Sequence, residues 1–191
     1  MQAMVRQDLL SVEDYLSGEQ DGDIKHEYIA GTVYAMAGAS SDHNLIGLNL
    51  AFAARSHLKG KPCKVFVFDL KVRLKISEDD VFYYPDVMVA CDPRDIHPHY
   101  LNFPKILVEI SSESTERLDR REKLLAYQTI ETLEEYFIVA QERHEVTLYR
   151  RANNWKPEVS ANIKDTINLE SIKLGIPLTA IYEGVAIESP A

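Results

Sequence analysis

The chain has 191 residues, of which 46% are apolar and 27% charged, and its net charge is −9. That length and balance fit one globular domain over residues 1–191. The acidity counts against a generic nucleic-acid binder, since phosphate backbones are held mainly by Lys and Arg. A protein of this charge that worked on nucleic acid would need a local basic strip, a bound divalent cation or a basic partner.

The N-terminus, "MQAMVRQDLLSVEDYL", reads as acidic and amphipathic rather than as a signal peptide, and no apolar run is long enough to span a bilayer. Ser11 is placed to cap a helix over 12–17, with Asp14 as the short acid of a capping box. A hairpin follows, "KHEYI" and "TVYAM" flanking Ala30-Gly31. In "SSDHNLIGLNLAFAARSHLKG" the apolar positions Leu45, Leu48 and Phe52, with Ile46, Leu50 and Ala53 beside them, have helical spacing. Ser40 or Ser41 caps the start and Gly60 closes it.

Two long strands are expected next, over 63–76 and 81–90, the second interrupted by Pro85-Asp86. Cys63 and Cys91 lack metal-ligand spacing and are too few for a disulfide framework, so a reducing cytoplasm is the expected location. "KILVEIS" (105–111) is a third strand, 116–130 a charged helix, and "EYFIVA" (135–140) a further strand. "EVTLYRR" and "WKPEVS" pair around Asn153-Asn154, and "INLESIKLGIPLTAIY" gives a strand and a short helix. The order describes an α/β fold with a mixed sheet.

Side chains alternate across a strand. In 105–111, Ile106, Val108 and Ile110 share one face; Leu107, Glu109 and Ser111 share the other. Glu109 therefore sits in a strand expected to be covered on both sides. A buried carboxylate without a partner costs several kcal/mol or more unless protonated, paired or metal-bound. Taken alone, it reads more simply as one half of a structural salt bridge. Asp86 repeats the anomaly on the preceding strand, beside a proline that bends the backbone. Two such acids can converge on one side of a sheet, and convergent carboxylates suit a hard cation such as Mg²⁺ or Mn²⁺. Lys123 shares a helix face with Tyr127 and Ile130, so its ammonium is placed to turn toward the sheet. The alternative is a solvated i, i+4 pair with Asp119.

A Pro-Asp strand, a strand carrying Glu and a following lysine form the PD-(D/E)xK pattern. The longer stretches "KHEYIAGTVYAMAGAS", "YYPDVMVACD", "LVEISSESTERLDRREKLLAYQTIETLEEYFIV" and "IPLTAIY", across residues 10–183, resemble the Uma-type family of predicted restriction endonucleases. The resemblance implies a restriction-endonuclease-like core, a mixed β-sheet flanked by helices, with an extra N-terminal hairpin and C-terminal strands. It implies that Asp86 and Glu109 bind Mg²⁺ or Mn²⁺, and that the Ile110 carbonyl adds a further metal ligand. Lys123 then replaces the lysine that the short motif expects at Ser111, and Glu27 is an accessory acid.

The resulting expectation is a metal-dependent endonuclease acting on nucleic acid, DNA above all, without membrane partners. A homodimer is expected, because duplex cleavage pairs naturally with twofold symmetry. The rival is a catalytically inactive or regulatory protein that uses the same fold for protein assembly. A carboxylate-pair glycosidase would need an aromatic-rich groove that the sequence lacks. Lys71, Arg73 and Lys75 form one strand face that would steer a phosphate backbone if exposed beside the site, and otherwise is a solvated face. His43 is a capping or surface residue or a contact to the site. His97-Pro98-His99 reads as a loop, and one of Ser111, Ser112, Ser114 and Thr115 is expected to cap the helix at 116–130.

Overall fold

The structure, a computed structural model, describes residues 9–112 and 119–187. Helix α1 (Val12–Asp21) starts as its sequence dictates: Ser11 Oγ accepts from the Asp14 amide at 3.1 Å and donates to the Asp14 carboxylate at 2.8 Å. It runs one turn past the expected 12–17. Strands β1 (His26–Ile29) and β2 (Thr32–Ala35) form the expected hairpin. Its turn needs positive φ at Ala30 (50°) and Gly31 (88°), and a Cβ on Gly31 would lie 2.7 Å from Leu9.

Helix α2 (Ser41–His57) is capped by Ser40, whose Oγ accepts from the His43 amide at 3.1 Å. It does not bury its bulkiest apolar stripe. The inner face is Ile46, Gly47, Leu50 and Ala54, while Leu45, Leu48 and Phe52 are 36%, 50% and 76% exposed. Gly47 gives the reason. A Cβ there would meet the Phe68 ring at 2.5 Å, so the face with the smallest residues is the one that can approach the sheet.

Each of the two long predicted strands divides between two sheets. The first becomes β3 (Lys64–Val67) and β4 (Lys71–Ile76), broken at Phe68, whose φ is 56°. The second becomes β5 (Asp79–Tyr83) and β6 (Val87–Ala90), broken at Tyr84-Pro85-Asp86. The two breaks are side by side: the Phe68 amide donates to the Asp86 carbonyl at 3.0 Å. After β7 (Tyr100–Leu101) comes β8 (Pro104–Ser111). A π-helical turn, Asp119–Lys123, then leads into α3 (Leu124–Tyr127), which stops short of the expected residue 130. The start predicted at 116, and the caps at Ser114 and Thr115, lie outside the described residues. The chain closes with β9 (Glu135–Ala140), β10 (Val146–Arg150), β11 (Pro157–Ser160), β12 (Thr166–Leu169), β13 (Leu174–Pro177) and α4 (Leu178–Ile181).

One sheet has the order β2-β1-β5-β4-β7, and the other β11-β10-β9-β8-β6-β3, with β12 and β13 paired separately. β8 is central, antiparallel to β6 and parallel to β9. Its Ile106, Val108 and Ile110 pack with Ile46 and Leu50 of α2, and its Leu107 packs with Tyr127 and Ile138 on the other face. Both faces are therefore covered, as the run "KILVEIS" predicts.

Two expectations are corrected. Cys63 and Cys91 are joined by a disulfide, because the register that opposes Lys64 to Ala90 also brings their neighbours together. Lys71, Arg73 and Lys75 are not a continuous basic face: Lys71 is buried, near the Tyr84 ring (5.0 Å), and Arg73 is paired with Asp80 at 2.8 Å. No described helix is long and apolar enough to cross a membrane.

Candidate active site

Asp86 occupies the crossing between the sheets, where β6 has not yet begun and β8 still runs on. Its backbone amide donates to the Val108 carbonyl at 3.0 Å, extending the β6–β8 ladder by one bond. Beyond that point the ladder has no β6 backbone to offer, and the Asp86 side chain replaces it. Its Oδ2 accepts from the Ile110 amide at 2.6 Å. In a strand the N–H and C=O of one residue point to the same side, so the Ile110 carbonyl faces this edge as well. His43, from the first turn of α2, reaches the other carboxylate oxygen, its Nε2 3.2 Å from Oδ1. The His43 Nδ1 is buried without a partner among the described residues.

Glu109 is 4% exposed and follows on the opposite face of β8 from Ile110. Its Oε1 accepts from the Tyr127 hydroxyl at 2.6 Å and lies 3.2 Å from the Lys123 Nζ, so both contacts fall on one oxygen. Lys123, itself 6% exposed, is surrounded by acids: Glu27 from β1 at 3.0 Å, Glu109 from β8 at 3.2 Å and Asp119 one turn earlier at 3.6 Å. The Tyr83 ring lies beneath it at 5.4 Å. The lysine is carried by a π-helical turn, a local widening of the helix that is rare and recurs at functional sites.

Ser111, where the short motif expects lysine, donates to Asp119 Oδ2 at 2.5 Å, and Tyr136 donates to the Asp119 carbonyl at 3.1 Å. The two readings of Lys123 thus coexist, because its i, i+4 partner Asp119 is itself buried in the cluster. The sequence pattern marks Asp119 only as a solvated partner of Lys123 and Tyr127 only as sharing its helix face, yet both contact the buried cluster. The signal for both was available in their spacing of four residues on either side of Lys123.

The electrostatics follow from burial. Desolvation pushes the Glu109 carboxyl well above the ordinary carboxylate range; Lys123 works against this, and the charges of Asp119 and Asp86 add to it. Burial also opposes the Lys123 charge. Glu109, Glu27 and Asp119 outweigh it and hold the ammonium above the usual lysine value. Four carboxylates against one lysine and one histidine leave a surplus of negative charge in a nearly dry site.

No group of three His, Cys, Asp or Glu side chains among the described residues is arranged to hold a metal. Mg²⁺ needs less, since it binds through one or two carboxylates and keeps several waters. The Glu109 and Asp86 carboxylates and the Ile110 carbonyl are oxygen donors, the ligand type a hard cation takes. A hollow of about 970 Å³ lies elsewhere, lined by Phe66, Asp69, Asp95 and His97; none of Glu27, Asp86, Glu109 and Lys123 lines it. The loop of His97 and His99 belongs to that region, His97 stacking on Tyr100 at 3.7 Å.

Two sheets linked where the chain crosses between them, with acids and a lysine gathered at those crossings, make up a restriction-endonuclease-like α/β protein. The same fold occurs in a solved structure, described as a putative nuclease belonging to DUF820, from Anabaena variabilis. The TM-score is 0.72 at 15% identity, covering 93% of this chain and 99% of that one. Residues 12–180 match the model of the Uma2 family, described as putative restriction endonuclease. The uncharacterized protein slr1290 of Synechocystis is 34% identical over 93% of both chains. A second protein of that organism, sll1609, also uncharacterized, is 32% identical over 76% of this chain and 83% of its own length. The chain belongs to the Uma2 family.

Proposed function

We propose that the protein is a Mg²⁺- or Mn²⁺-dependent endonuclease that hydrolyses phosphodiester bonds of nucleic acid, with DNA as its substrate. The observation that carries this reading is the buried Lys123 ammonium held between Glu27 and Glu109, with the contacts of Glu109 made through Oε1.

Asp86 and Glu109 would hold the cation, with the Ile110 carbonyl as a further ligand. Bound there, a divalent cation supplies an acidified water and charge neutralisation at the phosphate. Lys123 orients the attacking water by hydrogen bonding and stabilises charge building on the phosphate oxygens. Glu27 and Asp119 keep that ammonium charged and aimed, and Tyr127 fixes the Glu109 carboxylate by donating to Oε1. His43, its Nε2 3.2 Å from Asp86 Oδ1, would set the angle of that carboxylate, the role that outer partners take around metal ligands.

The test is cleavage of supercoiled plasmid, single-stranded DNA and RNA, each with Mg²⁺ or Mn²⁺, by the native chain and by Asp86→Ala and Lys123→Ala. Metal-dependent nicking of the plasmid that both substitutions abolish is the expected result. Activity untouched by either substitution would remove the site. No cleavage of any substrate would favour the non-catalytic alternative.

A further inference from the structure

Helix α2 turns the wrong face to the core for its composition. Leu45, Leu48 and Phe52 are 36%, 50% and 76% exposed, and they lie on the side opposite Ile46, Leu50 and Ala54. The three form a ridge that steps by three and four residues, and the same ridge continues to Asp42 at one end and Arg55 at the other. Neither Asp42 nor Arg55 has an ion-pair partner among the described residues. Polar residues flank the ridge: Ser41, Asn44, Ser56 and Lys59 are all exposed.

The ridge is self-complementary. Reversing the helix about a point between Leu48 and Asn49 exchanges Leu45 with Phe52 and Asp42 with Arg55. Two copies crossed so that their ridges run together would set Leu45 of each against Phe52 of the other. The axis would pass between Leu48 and Asn49, with the two Leu48 side chains flanking it, and Asp42 would lie beside Arg55 at both ends. The acidic end carries the helix N-terminus and the basic end its C-terminus, so the antiparallel arrangement also pairs opposite dipole ends. This charge pattern singles out a second copy of the chain. A partner of another kind would have no reason to match an acid and a base placed symmetrically about the point between Leu48 and Asn49.

We propose that this face of α2 is the centre of a twofold homodimer interface, isologous in the sense that the same patch serves both subunits. Specific interfaces bury roughly 800 Å² per partner, so the ridge supplies the apolar core and the exposed polar residues of α2 contribute to the rim. The inference stands apart from the nuclease reading, although the same helix carries His43 to Asp86. A dimer through α2 therefore joins two candidate sites through one element.

Sedimentation velocity of the full chain over roughly 1–100 µM, a range that brackets a micromolar Kd, tests the proposal. The expected species has twice the 21.7 kDa mass of the chain. Leu48→Glu sets two like charges beside the twofold axis and is expected to weaken dimerisation by at least about tenfold. Asp42→Arg and Arg55→Asp, made singly, each place like charges together and weaken it. The double exchange Asp42→Arg/Arg55→Asp restores the pairing in reverse and is expected to recover the dimer. Circular dichroism confirms that each variant is folded, as substitution at exposed positions allows. A native chain that is monomeric at the highest concentration would overturn the proposal. So would a Leu48→Glu variant that remains dimeric, or a double exchange that fails to recover what the single changes lose.

Discussion

Glu109 and Glu135 lie on adjacent parallel strands, 4% and 2% exposed, and the molecule treats them in opposite ways. Every lone pair that Glu135 offers is answered. Its Oε1 accepts from the Glu170 amide at 2.9 Å and the Arg150 guanidinium at 3.3 Å, and its Oε2 accepts from the amide and hydroxyl of Ser171. Arg150 is in turn bound to Glu158 and to the Asn168 carbonyl at 2.6 Å. This carboxylate joins β9 and β10 to the loop after β12 and has no capacity left. Glu109 concentrates its contacts on one oxygen, beside further acids. A buried carboxylate with all its bonds made holds structure together. One with half of them made keeps an oxygen available, as the proposed cation site requires.

The comparison can be broken at either end, and the largest effect belongs to Glu135. Truncating one partner of a buried, hydrogen-bonded ion pair leaves the other charge stranded, so Glu135→Ala should cost about 3–5 kcal/mol of stability. Urea unfolding measures it, and cleavage per folded molecule should be preserved. A loss under about 1 kcal/mol would show that the network is decorative. At the other end, Lys123→Met keeps the length of the side chain and removes its charge. Cleavage should fall by about 10²–10³-fold, the scale for removing one preorganised charge donor. Cleavage at native rates would return the Lys123 cluster to the same structural category as Glu135.

His43 probes the supports of the site rather than its centre. Losing the group that orients a metal-bound carboxylate typically weakens metal affinity about 10–100-fold. Titration of His43→Ala with Mn²⁺, followed calorimetrically, should show a loss on that scale, with little change for a substitution at His57 on the same helix. Equal losses for both would mean that the contact to Asp86 carries no positioning role.

The contrast between the two glutamates was half legible in the sequence. Glu109 stands out because Val108 and Ile110 flank it within an apolar strand. Glu135 opens its strand beside charged residues, and nothing local marks it as buried; its partners come from 15 and 35 residues further along the chain. The placement of β8 followed from its continuous apolar run. The division of 63–76 and 81–90 between two sheets did not, because a strand that changes sheets keeps the alternation of one that stays. Pro85 marked one break, and Phe68, in a backbone conformation uncommon for a bulky residue, marked nothing in advance. The face of α2 was misread for a related reason: periodicity finds an apolar stripe, but Gly47 decides how near the helix can come. The disulfide depends on a register between β3 and β6 that spacing alone does not give.

The smallest effect is also the one that separates the two glutamates without any assay of cleavage. The Glu109 carboxyl is held above its unfolded value of 4.5 by burial and by its acidic neighbours. An acid shifted upward contributes stability that is fully present below the unfolded value and is lost as pH rises through the folded one. The contribution of Glu109 to the stability of the metal-free chain should therefore fall as pH climbs from the acid range, and Glu109→Gln, which cannot ionise, should lack that loss. At neutral pH the variant should melt higher by roughly 2–4 °C, the shift that about 1 kcal/mol produces in a chain of this size. Mg²⁺ should narrow the gap by stabilising the native protein alone. The same substitution at Glu135 should lower the melting temperature at every pH, since there the charge is fully partnered. A Glu109→Gln variant that melted below the native chain across the range would show that its bond to Lys123 serves stability first. The two buried glutamates would then differ in degree rather than in kind.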